Sequence, residues 1–227
     1  MLPQPAHVVS VNVGSVRSAA WAGRVRRTAI DKRPVSGPVG VGALGLDGDE
    51  IGDTTHHGGV HQAVYAFAQE DLDHWTEQLG ERVPPGFFGE NLTTVGIDVN
   101  EAVLGEIWRV GGVLLQVCEV RIPCSVFKNW LGVSGFDERA WVRRFTEHGR
   151  PGPYLRVLEE GSLRARDEIV VEHRPEHRMT VAEMFRAFTT EPELLPRLLE
   201  VDCVKPSAHA AAIEYVRRNG SRADPVR

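Results

Sequence analysis

Cysteine is scarce in this chain. Cys118, Cys124 and Cys203 are the only three in 227 residues, and no two form a CxxC pair. An odd, scattered count excludes a disulfide framework and fits a reducing compartment. Long apolar runs are also missing, with nothing near the roughly 18 uninterrupted apolar residues of a membrane span. The first residues, MLPQPAHVVSVNVG, have no basic segment leading into an apolar one. No secretory signal is read there, and a cytoplasmic location is expected. Positive charge is not in excess either. A net charge of −5 gives no sign of a nucleic-acid surface, and neither nucleic acid nor membrane is expected as a partner. A dinucleotide fingerprint is absent as well, since GVGALG (40–45) misses the GxGxxG spacing.

Short strand patterns broken by glycine and proline fill the first three quarters of the chain. VVSVNVG (8–14), HQAVYAFA (61–68), AVLGEIWRVGG (102–112), VLLQVCEV (113–120) and DEIVVEH (167–173) read as strands. Many short strands with glycine corners predict a mainly β, α+β fold of barrel-like form. Two helices are expected on it. One spans 69–80, with Leu72, Trp75 and Leu79 on one face, and one spans 136–149, with Phe136, Trp141 and Phe145 grouped. Past residue 178 three short helical patterns follow, split at Glu191-Pro192 and Lys205-Pro206, and Thr180 with Glu183 has capping-box spacing. The expected organisation is a β domain over 1–174 and a three-helix appendage with a tail over 175–227. The appendage holds more apolar residues than three short helices hide among themselves, so it is expected to pack on the barrel or on a second subunit as a homodimer.

Four stretches have residue types suited to chemistry. THHGGVH (55–61) has His57 and His61 at a helical metal-pair spacing, but Gly58 and Gly59 between them each cost roughly 1 kcal/mol in a helix. Two readings stay open: a glycine loop offering backbone N–H groups and an imidazole to an anion, or a solvated turn. LGLDGDE (44–50) reads as a tight turn whose acidic side chains cap backbone groups. FFGENLT (87–93) reads as a turn and core anchor, with amide recognition of a heterocycle by Asn91 as the sharper alternative. In RIPCSVFKNW (121–130), Cys124 follows Pro123 just beyond a strand, with Arg121 and Lys128 near it. Positive neighbours favour the thiolate, which ligates metals and attacks electrophiles. Cys118 and Cys203 lie inside predicted elements and read as core.

Six stretches occur in a telling order: KRPVSGPV (32–39), GLDGDE (45–50), HHGGVHQAVYAF (56–67), GFFGENLTT (86–94), RIPC (121–124) and PYLRVLEEG (153–161). This series resembles the MOSC domain family, named for the C-terminal domain of molybdenum-cofactor sulfurases. It is most similar to the stand-alone YiiM-like branch, which includes bacterial 6-hydroxylaminopurine reductase. The resemblance covers about residues 8–173, and the helical tail resembles that branch's small helical domain. Val120 and Ile122 depart from the family's usual residues beside the cysteine.

The resemblance implies a β-rich pseudo-barrel with a cleft for a molybdopterin-type molybdenum cofactor. Cys124 would be the catalytic residue and molybdenum ligand. Lys32, Arg121 and Arg156, with His56, His57, Gly58, Gly59 and Asn91, would meet the phosphate and pterin. The implied activity is reduction of N-hydroxylated bases or related N-oxygenated compounds, a detoxification, with electrons from a separate flavin-type reductase. The alternative is a sulfur carrier or cofactor-transfer protein with a Cys124 persulfide. A plain binding module for anionic ligands is a third reading. The pyridoxal-phosphate desulfurase domain of the sulfurases is missing from this sequence, so that cofactor would belong to a partner.

Overall fold

The structure, a computed structural model, describes residues 5–55 and 57–220. Apolar residues at alternating positions produce a long central strand, β10 (Val113–Val120), and its neighbours. The strands before it are β1 (His7–Val13), β2 (Arg17–Ser18), β3 (Arg27–Thr28), β4 (Arg33–Pro34), β5 (Val39–Gly42), β6 (Gly45–Leu46), β7 (Val64–Ala68), β8 (Leu92–Val95) and β9 (Ile107–Val110). After it come β11 (Pro153–Glu159), β12 (Gly161–Leu163) and β13 (Ile169–His173). Helix α1 (Gln69–Leu79) links β7 to β8, while α2 (Ser125–Val133) and α3 (Trp141–His148) lie between β10 and β11. Helices α4 (Val181–Thr189) and α5 (Pro206–Gly220) form the tail, separated by a 3-10 run over Pro192–Glu200.

Eight strands make one sheet in the order β13-β9-β10-β11-β7-β8-β1-β4. Strands β7 and β8 pair in parallel, with α1 as their crossover, and the sheet's other named pairs are antiparallel. The sheet curls until the start of β1 meets the segment leading into β13. His7 bridges Glu168 there, and the Val8 N–H donates to the Asp167 carbonyl at 3.0 Å. No continuous ladder closes the circle, so the fold is the expected α+β, barrel-like one without being a closed barrel.

Differences from the sequence expectations have local causes. The strand expected over 102–112 starts at Ile107, because Gly105 turns at φ +89° and Glu106 is pulled inwards. Glu106 is fully buried and accepts from the Val103 N–H (3.1 Å), the Trp108 indole (2.9 Å) and Arg174 Nε (2.6 Å). The helix expected from 136 starts at Trp141, because Ala140 adopts a left-handed φ of 50°. Helix α2 was not expected, although Phe127 and Leu131 at i,i+4 form its buried stripe. In the tail the middle segment is a 3-10 run, because Pro196 inside it has no N–H for a helical ladder. Thr180 and Glu183 do form the capping box at the start of α4.

An aromatic platform joins these helices. Trp75 of α1 lies 4.6 Å from Trp141 of α3 between ring centroids, and Phe88 lies 4.8 Å from Phe127 of α2. Phe145 of α3 meets Phe185 of α4 edge-on at 5.9 Å. Val181, Met184, Phe185 and Leu198 are fully buried in the same apolar cluster as the sheet, so tail and sheet share one core. Leu199, Ile213 and Val216 are exposed. Truncating Phe185 to Ala should therefore cost about 3–5 kcal/mol in urea unfolding, the loss typical of a well-packed buried phenylalanine. A loss under about 1 kcal/mol would show that the tail does not share the core.

Candidate functional site

Strand β10 ends at Val120, and Pro123, which has no backbone N–H, turns the chain out of the sheet. Cys124 then takes an extended conformation (φ −131°, ψ 162°) as the N-cap of α2, and its carbonyl accepts the Lys128 N–H at 3.2 Å. Its thiol is thus held at a helix N-terminus, where a negatively charged ligand is stabilised. The residue is partly buried and lines a cleft of ≈ 590 Å³. The other two cysteines are different. The Cys118 thiol donates to the His61 carbonyl at 3.3 Å and the Cys203 thiol to the Val117 carbonyl at 3.4 Å. Burial pushes both thiols up, Cys203 to about 11, which suits inert core residues.

Arg121 projects from the same turn into the cleft wall. Its Nη1 donates to the Tyr154 hydroxyl at 3.1 Å, and its guanidinium lies over the Tyr65 ring, 5.4 Å from the centroid. Among the described residues no carboxylate pairs with it. A second cation, Lys32, is paired: its ammonium meets Asp49, and both side chains are only 10% exposed. Burial pushes the Lys32 ammonium below the ordinary lysine range, against the pull of Asp49. Asp49 also accepts from the Gly14 N–H (2.8 Å) and Asn91 Nδ2 (2.9 Å), so the GLDGDE stretch caps backbone as expected and holds a lysine as well. Asn91 fixes the floor, with its Oδ1 accepting the Tyr65 N–H at 3.1 Å.

Beneath this floor runs a buried polar seam. Ser10 donates to Asn12, Asn12 to Thr93, and Thr93 to Glu90 Oε1 at 2.9 Å. The Gly86 N–H reaches the same oxygen at 2.5 Å, while Glu90 Oε2 has no hydrogen-bond partner among the described residues. Burial raises the Glu90 carboxyl to about 7, against the donors that favour its ionised form.

The HHGG loop does less than its composition suggests. His57 and Gly58 line the cleft, but the His57 N–H donates to the Asp53 carbonyl and the Gly58 N–H to Gln62 Oε1 (3.0 Å). Neither amide is left for an anion. Gly58 and Gly59 sit at φ +82° and +77°, a left-handed region that favours glycine, so both serve the bend itself. Gly59 is not part of the cleft lining, and His56 lies outside the described residues. Arg156 is also outside the lining, two residues along β11 from Tyr154, where its Nε donates to Gln116 at 2.6 Å. The structure thus brings Cys124, Arg121, Lys32, Asn91, His57 and Gly58 to one cleft. A smaller pocket of ≈ 300 Å³ adjoins it across His57, Gln62, Arg121 and Tyr154.

The family model of the MOSC domain matches residues 53–170, just over half of the chain. The chain belongs to the MOSC domain family. It is 31% identical over 156 residues to the uncharacterized protein YflK of Bacillus subtilis (strain 168), which covers 69% of this chain and 68% of that protein. It is also 31% identical over 191 residues to a Gibberella moniliformis protein named Reductase, which covers 81% of this chain but 32% of that longer protein. Among solved structures, YiiM from Geobacillus stearothermophilus superposes with a TM-score of 0.76 at 26% identity, over 93% of this chain and 100% of that one. The chain is a YiiM-like MOSC protein.

Tyr65, Tyr154 and Asp49 also line this MOSC cleft, and Glu90 lies in the seam beneath it, although none of the four was named as a site residue from the sequence. For all four a signal existed, since each sits in one of the six ordered stretches. Glu90 gives a direct test. Its carboxyl stays protonated in the folded chain after it has ionised in the unfolded one, so it costs nothing below pH 4.5 and a growing amount up to about pH 7. Glu90→Gln should therefore gain stability relative to the native chain as pH rises through that window, by on the order of 3 kcal/mol in total. Urea unfolding at pH 5 and pH 8 measures it, and a pH-independent difference would show that Glu90 is ionised in the fold.

Proposed function

We propose that the chain is a molybdenum-cofactor oxidoreductase that reduces N-hydroxylated bases or related N-oxygenated compounds, with Cys124 as the residue that meets the metal. One observation carries this reading: a partly buried thiol at a helix N-terminus faces a ≈ 590 Å³ cleft beside Arg121, a cation without a carboxylate partner among the described residues. A cleft with one soft sulfur ligand and an unpaired positive charge at Arg121 suits a phosphorylated organic group that brings its own metal and remaining ligands. Among the described residues no three His, Cys, Asp or Glu side chains are placed to hold a metal ion by themselves.

In this reading Cys124 would hold the molybdenum. Arg121 would bind phosphate through its remaining N–H groups, and Asn91, its amide engaged with Tyr65, Asn12 and Asp49, would hold the floor of the cleft. The bound group would supply the two-electron exchange that breaks an N–O bond. Lys32, already paired with Asp49, positions the floor rather than binding the phosphate outright. His56, Gly59 and Arg156 have no assigned contact in this arrangement. Membership of the MOSC family and the fungal relative named Reductase support the direction of this reading. Among the described residues no helix is long and apolar enough to cross a membrane. A separate flavin-type reductase would return the electrons.

The test is metal and pterin content after expression in a host that makes the cofactor. Wild-type chain should retain molybdenum and pterin, and Cys124→Ser should lose the molybdenum while melting like wild type. Cys118→Ser and Cys203→Ser should keep it. Labile sulfur on Cys124 without molybdenum would instead support the sulfur-carrier reading. Full metal retention by Cys124→Ser would overturn the ligand assignment.

A further inference from the structure

Glu90 does not line the cleft, yet its place in the chain sets it between the cleft's charges. Gly89, just before it, packs against Arg121: a Cβ added there would lie 4.0 Å from Arg121 Nη1. Asn91, just after it, holds Asp49, the partner of Lys32. The Glu90 side chain turns into the seam and is fully buried. Its Oε1 takes the Gly86 N–H and the Thr93 hydroxyl, and its Oε2 has no hydrogen-bond partner among the described residues. A buried carboxylate oxygen without a donor is costly, so this geometry favours the neutral acid. Burial raises the carboxyl to about 7, which puts loss of its proton within the physiological range.

A new charge at this point matters because the cleft is evenly balanced. Its lining carries three cations, Arg27, Lys32 and Arg121, against four acids, Asp47, Asp49, Glu50 and Asp53. There is no general surplus of positive charge, so an anion depends on the local field at Arg121. A negative Glu90 is felt at Lys32 and Tyr65, which line the cleft together with Asp49 and Arg121. The charge also arises one residue from the Gly89–Arg121 contact, in a buried seam that screens it little.

We propose that Glu90 sets the charge the cleft accepts: with its proton on, the cleft holds an anion beside Arg121, and with its proton lost it binds that anion about tenfold less tightly. Linkage makes the effect reciprocal. An anion at Arg121 strengthens the hold of Glu90 on its proton, so anion and proton enter together. Anion affinity is therefore full below about pH 7 and falls as the pH rises above it. The inference rests on the anion-binding part of the proposed function and needs neither molybdenum nor reduction.

The experiment measures sulfate binding by the cofactor-free, full-length chain at about pH 6 and about pH 9, from the gain in urea stability at constant ionic strength. Sulfate keeps its double charge over that range. Between the two values wild type should lose about tenfold more affinity than Glu90→Gln, which keeps the shape of the seam but cannot ionise. Other titrating groups of the cleft are common to both proteins and cancel in the comparison. At about pH 7.5, wild type should take up about half a proton per sulfate more than Glu90→Gln, read from the acid needed to hold the pH. Thr93→Val, which removes a donor that favours the ionised carboxyl, should move the midpoint of the wild-type profile to higher pH. If one variant fails to fold, the other decides alone. Profiles that agree within about twofold in wild type and Glu90→Gln, or an unmoved midpoint in Thr93→Val, would overturn the role of Glu90 and leave the anion reading standing. No sulfate gain in wild type even at the lower pH would overturn both.

Discussion

A guanidinium cannot shed its charge at any physiological pH, so the placement of Arg121 in the cleft wall constrains everything around it. The fold answers that charge with neutral groups, the Tyr154 hydroxyl and the Tyr65 ring face. The nearby carboxylate of Asp49 is instead committed to Lys32 and Asn91. Glu90 cannot serve either, because burial keeps its proton on to about pH 7. The result is a cation in the cleft wall, Arg121, that no carboxylate among the described residues pairs. Such an arrangement is completed by an anion from outside the chain, and the proposed function depends on that.

The second requirement is that Cys124 stay beside Arg121. Pro123 and the end of β10 set the direction of the turn, but the aromatic platform holds α2 in place. Phe127 packs on Phe88, and the Trp130 indole donates to the Phe87 carbonyl at 3.1 Å. Phe87 and Phe88 belong to the same loop as Gly89, Glu90 and Asn91. One short segment therefore anchors the cysteine helix on one side and builds the cleft floor on the other. The tail is tied to this platform through Phe185 and Phe145.

Much of this was legible in the sequence because strand periodicity and motif order are local signals. The alternation of VLLQVCEV gave β10 its bounds, and Thr180 with Glu183 marked the start of α4. Cys124, Arg121 and Asn91 stood out because each lies in a stretch whose composition a core alone does not need. What was not legible depended on pairing across the chain. The Gly58 amide looked available until Gln62 was seen to occupy it, and Arg156 looked like a cleft cation until its strand register placed it beyond Tyr154. Helix α2 escaped notice because its apolar stripe is short and follows a proline. The smaller pocket was invisible, since residues as far apart in sequence as His57 and Tyr154 build it.

The most direct measurement is the effect of an anion on the stability of the cofactor-free chain. Melting temperature would be followed with pyrophosphate and with sodium chloride at equal ionic strength, for wild type and Arg121→Gln. If Arg121 is the open charge that an external anion answers, pyrophosphate raises the wild-type melting temperature above the chloride control and leaves Arg121→Gln unchanged. An equal rise in both proteins, or none in either, would contradict the account.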